Sequence, residues 1–407
     1  MSPITVIVGG SVGGVRTAQA LRGADYAGRV VLLVKEDRAP YDKPPLSKAL
    51  LAGSATLDDL TLLSPTEADR LGIEVRLGTE AVALDAVAHE VVVAGGKRIG
   101  YDSLVIATGA EAKCPPWWPM PGVHVVRTAD DAIALRADLD RGGPLLVVGA
   151  GFIGAEVAAT ARAKGVPVTL VDPLPAPMSR VLSEEIGGYF ADLHRRNGVR
   201  TRFGAAVERL DRDGEGLRAI LTDGRIVDAA TVVVGIGAEP VVTWLSSSGV
   251  RLDDGVICDG QGRCEGVDDV FAVGDVARWW HPRHGDWVRV EHWTNAAEQA
   301  VVVARALAGG AEDSPPHAPV EYVWSDQYDW KIQIAGRMGA GSRHEMLGSV
   351  ADNRFAVLFH DGDDLLTGLL TVNWPRVTVA GRRTLAQSGT LTELRSRLEG
   401  GGVPART

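Results

Sequence analysis

A chain of 407 residues, 45% hydrophobic, is too long for one hydrophobic core and calls for two or three domains. Its formal net charge of −10 at pH 7 excludes a bulk nucleic-acid or anionic-membrane binder. The chain enters its first strand without a charged and apolar leader and holds no run of about 18 apolar residues, so a cytoplasmic protein is expected.

In chain order, the first expected element is an apolar strand at residues 4–8 that runs into Gly9-Gly10-Ser11-Val12-Gly13-Gly14. A helical stretch and a second strand at 29–34 follow, and the unit ends at Glu36, 27 residues after the first glycine. Such a loop presents backbone N–H groups and the positive end of a helix dipole to a pyrophosphate, and the later acid meets ribose hydroxyls. The loop Pro40-Tyr41-Asp42-Lys43-Pro44-Pro45-Leu46-Ser47-Lys48 feeds a short helix, and a strand at 104–107 ends in Thr108-Gly109. The proline- and tryptophan-rich stretch 114–122 reads as a crossover to another domain.

The nucleotide signature then recurs. A strand at 144–148 leads into Gly149-Ala150-Gly151-Phe152-Ile153-Gly154, a helix, and a strand that ends at Asp172, 23 residues after the first glycine of that loop. The unit extends through 231–234 to Gly235-Ile236-Gly237, and a further strand at 269–273 closes with Gly274-Asp275. Asn295, with Glu298 three residues on, reads as a helix N-cap with its capping-box acid. A linker at 309–319 precedes about ninety residues with strand-like alternation, as at 354–359. A chain that carries this signature twice is expected to bind two dinucleotides.

The three cysteines, Cys114, Cys258 and Cys264, lack the spacing of a redox-active pair, so no dithiol relay is expected. His281 and His284 read as solvated loop histidines, and no metal is expected.

The order Gly-rich loop, PYDKPPLSK, IATG, GAGFIGAE, GIG, FAVGD, NAAEQA and WSDQY, spread from about residue 4 to residue 385, resembles the FAD-dependent ferredoxin reductases of bacterial oxygenase systems. The resemblance implies an α/β fold with two Rossmann-like dinucleotide-binding domains, one for FAD and one for NAD, the second inserted in the first, plus a C-terminal α+β domain. The expected bounds are 1–112 and 243–314 for the FAD domain, 113–242 for the NADH domain and 315–407 for the C-terminal domain. The same resemblance assigns Gly9, Ser11, Gly13 and Gly14 to the FAD pyrophosphate and Glu36 to its adenosine ribose. Lys43, Thr108, Gly109, Arg127 and Asp275 are further FAD contacts, the last at the ribityl chain. Glu291 and Trp293 are to line the flavin, next to a helix start where negative charge develops on reduction.

In the second unit Gly149, Gly151, Ile153, Gly154 and Gly237 are expected at NADH, with Asp172 on its adenosine ribose and Arg180 tempering the preference against NADPH. Glu156 corresponds to a contact of the nicotinamide carboxamide, Lys48 to its partner beside the flavin, and Trp324 to a cover for the flavin edge. FAD is expected to be non-covalent. The implied reaction passes hydride from NADH to FAD, then single electrons to a [2Fe-2S] ferredoxin that feeds a P450 or Rieske oxygenase. Arg278, Arg283, Arg289, Lys331 and Arg376, with Trp279, Trp280 and Trp330 among them, are expected to form its docking patch on a protein whose favoured state is a monomer. Another acceptor such as rubredoxin, a quinone or monodehydroascorbate stays open, as does a redox-sensing interaction protein.

Overall fold

The structure is a computed structural model in which residues 2–214, 216–309, 316–338 and 342–399 are described. The chain divides into two compact units. The first comprises Met1–Asp42, Leu57–Glu111 and Ala238–Pro319; the second comprises Lys43–Thr56, Ala112–Gly237 and Val320–Thr407.

The first unit is built on a parallel sheet in the order Val270–Ala272, Ser103–Ile106, Ile4–Val8, Arg29–Leu33, Ile73–Arg76. Its strands are near-continuous Val, Ile and Leu runs because both faces are covered. The helices Val12–Gly23 and Trp293–Leu307 pack together within this unit. A second sheet joins Val256–Cys258, Ala277–His281 and Asp286–Arg289.

The second unit repeats the parallel architecture in the order Arg200–Phe203, Val168–Asp172, Leu145–Val148, Thr231–Val234, Val123–His124. The short Lys43–Thr56 segment belongs to it, since Leu51 is buried with Leu135, Val157 and Leu170. Its last part is an antiparallel sheet, Tyr322–Gln327, Trp330–Gly336, Leu366–Val372, Arg354–His360, Arg343–Ser349, with helices Pro375–Ala386 and Leu391–Glu399. Among the described residues no helix is long and apolar enough to cross a membrane.

The two glycine loops match in backbone detail. Gly9 N–H donates to Leu33 O at 2.9 Å, and Gly149 N–H donates to Val171 O at 2.8 Å. At the loop's far end Val15 N–H reaches Ser11 O at 3.0 Å, and Ala155 N–H reaches Gly151 O at 2.9 Å. A Cβ on Gly14 would lie 1.9 Å from Gly9 O, and one on Gly154 would lie 1.9 Å from Gly149 O. Gly9 and Gly149 are also required by their own backbone, at φ +125 and +104.

Several expectations are corrected by the fold. The helix of the NAAEQA stretch starts at Trp293 with His292 at the N-cap, three residues before the expected Asn295 cap. Asn295 is buried in the first turn, and its amide donates backwards to Val290 O instead of accepting from the helix N–H groups. His281 is no solvated loop residue but a buried strand residue, its ring tilted against that of His284 with centroids 4.2 Å apart. Trp279 and Trp330 are core side chains and supply no exposed docking surface. The Trp279 indole donates to Ala272 O, and Trp330 is wedged against Phe190 and Phe355. Cys258 and Cys264, far from any motif spacing, face each other across an isolated antiparallel bridge as free, buried thiols.

The loop contacts generate a paired prediction. Gly154→Ala must displace backbone and is expected to cost about 1–3 kcal/mol in chemical denaturation. Gly151→Ala adds a methyl where no atom lies within 4 Å, so its stability should stay within about 0.5 kcal/mol of wild type while dinucleotide binding weakens. Equal stability of the two variants would contradict this account of the loop.

Candidate functional site

In the first unit, the Ser11 position caps the helix Val12–Gly23 through its backbone, and its side chain makes no capping bond. The hydroxyl therefore stands at the position of the customary second glycine with its cap role unused. Gly13 is buried against Val273, and Gly14 seats on Gly9. Glu36 accepts a 2.6 Å hydrogen bond from the Tyr41 hydroxyl, which fixes the carboxylate three residues past the strand end at Leu33. Thr108 Oγ1 donates to Val241 O at 2.9 Å, and Val241 N–H returns a bond to Gly109 O at 3.0 Å.

The Gly274-Asp275 turn is held by the buried Gln299, whose Oε1 accepts Gly274 N–H at 2.8 Å. Arg289, with a side chain only 12% exposed, donates to Asp275 O at 3.3 Å and pairs with Asp254 at 3.2 Å and with Glu291. Trp293 donates from its indole to Asp42 Oδ1 at 2.8 Å, with the Arg16 guanidinium 5.7 Å over the ring. Glu291 and Trp293 are thus both fixed, Glu291 by an arginine expected at the docking patch and Trp293 by Asp42.

In the second unit, Asp172 ends its strand with both carboxylate oxygens engaged. Oδ2 accepts Ala150 N–H of the glycine loop at 2.7 Å, and Oδ1 accepts Leu174 N–H at 2.8 Å. The exposed Arg180 donates to Ile236 O at 3.3 Å and lies against Gly237, where an added Cβ would sit 3.0 Å from its Nη1. Ile153 is exposed at the start of the helix Phe152–Ala163. Lys43 Nζ donates to Arg127 O at 3.2 Å, so these two expected FAD contacts are neighbours.

The densest polar constellation surrounds Glu156, a carboxylate 3% exposed in the helix Phe152–Ala163. Lys48 Nζ lies 3.0 Å from Oε1, the Ser325 hydroxyl donates to Oε1 at 2.7 Å, and the Ser47 hydroxyl donates to Oε2. Thr160, one turn further along the helix, donates to Ser47 O at 2.9 Å and ties the PPLSK segment to it. Three donors compensate the cost of taking a charge out of water. Sequence reasoning found Glu156 and Lys48 but missed Ser47 and Ser325, although each stands beside a named residue in PPLSK and WSDQY. Trp324 points to the opposite face of its strand from Ser325 and stacks on Tyr322 at 6.1 Å.

The expected docking cations are not equivalent. Arg278 is bonded to Asp253 and to Trp287 O, and Arg289 is enclosed as described, so neither is a free cation of the kind a salt-sensitive patch needs. Lys331 and Arg376 are exposed, the latter with Nη2 on Leu398 O at 3.2 Å.

Residues 4–300 match the family described as pyridine nucleotide-disulphide oxidoreductase, and residues 322–396 match one described as reductase C-terminal. The chain belongs to the pyridine nucleotide-disulphide oxidoreductase family. It is similar to the ferredoxin–NAD(+) reductase component of the anthranilate 1,2-dioxygenase system of Burkholderia cepacia, at 38% identity over 94% of this chain and 93% of that one. Among solved structures it is similar to the ferredoxin reductase for the CYP199A2 system of Rhodopseudomonas palustris, with a TM-score of 0.92 and 33% identity over 96% of each chain. It also matches a covalent putidaredoxin reductase–putidaredoxin complex, with a TM-score of 0.90 and 29% identity over 99% of each chain.

The enclosed Arg289 generates a prediction about stability. Arg289→Ala leaves Glu291 and Asp254 without their shared cation and removes one donor from Asp275 O. Thermal and denaturant unfolding should show a loss of about 1–3 kcal/mol, with earlier release of the flavin. Unchanged stability together with weaker ferredoxin binding would restore Arg289 to the docking surface.

Proposed function

We propose that the protein is an FAD-dependent NADH:ferredoxin reductase of the cytoplasm, serving a [2Fe-2S] ferredoxin that feeds a P450 or Rieske oxygenase. The observation that carries this reading is the duplicated glycine-loop geometry, two dinucleotide cradles in a chain whose cysteines offer no accessible dithiol. Burial and the adjacent Cys264 thiol push the Cys258 thiol well above the usual range, so it stays protonated and unreactive. Electrons therefore leave for an outside acceptor. Bound FAD supplies the chemistry that converts a hydride from NADH into single electrons.

The protein's own part is to bind, orient and exclude water. Residues 1–112 and 243–314 are assigned to FAD, 113–242 to NADH and 315–407 to the C-terminal domain. The Gly9–Gly14 loop cradles the FAD pyrophosphate, Glu36 takes the adenosine ribose and Asp275 the ribityl chain; Lys43, Thr108, Gly109 and Arg127 add contacts, and Glu291 and Trp293 line the flavin. The Gly149–Gly154 loop, with Gly237, does the same for NADH, and the exposed Ile153 supplies apolar contact. Asp172, held in place by two backbone donors, accepts the adenosine ribose hydroxyls and repels a 2′-phosphate. Glu156 receives the nicotinamide carboxamide, Lys48 holds Glu156 in place, and Trp324 shields the flavin edge. Arg283, Lys331 and Arg376 are the exposed cations left for an acidic ferredoxin.

Two measurements test this. Glu156→Ala and Lys48→Met should each slow flavin reduction by NADH about tenfold to a thousandfold in stopped-flow experiments, with the fold intact. Normal rates in both would remove the pair from the site. NADH should exceed NADPH in kcat/KM by at least about tenfold, roughly 1.4 kcal/mol in transition-state binding. Asp172→Ala should narrow the ratio and lower both values, because the Ala150 N–H loses its acceptor. Equal use of the two coenzymes by the wild type would mean that Arg180 governs the pocket.

A further inference from the structure

The hydroxyl of Ser325 belongs to a longer chain of donors than the Lys48–Glu156 pair alone. Gln327, fully buried, donates from Nε2 to Ser325 Oγ at 3.2 Å, and Ser325 donates in turn to Glu156 Oε1 at 2.7 Å. The two residues sit two apart on the strand Tyr322–Gln327 and so share one face. Because the amide N–H occupies a lone pair of Ser325, the hydroxyl proton is directed at the carboxylate, and each bond polarises the next. The acceptor side is equally constrained. A carboxylate has about four acceptor sites. Lys48 and Ser325 take both on Oε1 and Ser47 takes one on Oε2, which leaves a single acceptor direction on Oε2.

We propose that Ser325, oriented by Gln327, is a positioning residue for the nicotinamide: together with Ser47 it fixes the rotation of Glu156 so that one acceptor direction remains for the carboxamide N–H. The C-terminal sheet thereby takes part in coenzyme recognition. This inference rests on the reading of Glu156 as the carboxamide contact. Without the Ser325 bond the carboxylate turns towards Lys48 and Ser47, and the remaining direction is no longer defined.

The test compares NAD(+) with ADP-ribose, which lacks the nicotinamide, by calorimetric titration of the FAD-loaded protein, alongside stopped-flow flavin reduction. Ser325→Ala and Gln327→Met should each lower the ratio of NAD(+) to ADP-ribose affinity about three- to tenfold, the scale of one hydrogen bond, while ADP-ribose alone binds as in the wild type. The reduction rate at saturating NADH should fall by a similar factor, and Ser325→Thr, which keeps the hydroxyl, should restore both. If Ser325→Ala lowers the unfolding temperature but leaves the affinity ratio and the rate unchanged, the serine is structural and the proposal is overturned. Glu156→Gln serves as the reference. If it too leaves the ratio unchanged, the carboxamide assignment of Glu156 fails; if it collapses the ratio while Ser325→Ala does not, only the positioning role fails.

Discussion

The rest of the structure depends on one steric constraint, the seating of a helix's first turn directly on the carbonyl of the glycine that ends the preceding strand. Any side chain at Gly14 or Gly154 would occupy the space of that carbonyl. The constraint sets the distance between strand and helix, and so decides where the unpaired N–H groups of the first turn are presented. Because the same contact recurs in both units, the two cradles are variants of a single backbone solution. They diverge at the positions between the first and last glycines of each loop, among them Ser11 in one and Gly151 in the other.

Around Glu156 a different kind of constraint operates. A buried carboxylate must be surrounded by donors, and here those donors come from two stretches far from the helix that carries Glu156 and from each other in sequence: Ser47 and Lys48, and Ser325. Removing any one donor leaves the charge under-compensated in a low-dielectric setting, which is far more costly than losing a surface ion pair. The charge therefore knits the PPLSK segment and the C-terminal sheet to the second nucleotide unit. Membership of Lys43–Thr56 in that unit follows from this polar anchor and from Leu51 in the adjoining core.

Much of this was legible in the sequence, for identifiable reasons. Parallel strands buried on both faces leave unbroken apolar runs, and glycine loops leave a fixed spacing to an acid, so both nucleotide units and their order could be read directly. What escaped depends on the partners that tertiary packing supplies. Asn295 has the composition of a cap, but its amide found Val290 O and the helix began earlier. Arg278 and Arg289 read as free cations because Asp253 and Asp254 reach them from a turn distant in sequence, and Glu291, only two residues from Arg289, gives no sign of the pairing by itself. Trp279 and Trp330 read as surface anchors because charge surrounds them in sequence, whereas strand alternation turns them inward. Cys258, at the end of its strand, meets Cys264 through an isolated bridge that no spacing in the sequence announces.

Asp172 has a consequence for how such a reductase can change. On the proposed reading, the residue that discriminates between coenzymes is also a brace for the loop that binds their common pyrophosphate, through its bond to Ala150 N–H. Selectivity and grip are therefore coupled in a single carboxylate. A lineage, or an engineer, that moves this enzyme towards a phosphorylated coenzyme cannot simply delete the acid. A replacement acceptor for Ala150 has to arrive first, which makes the route to a new coenzyme at least two steps long and explains why the order of those steps matters.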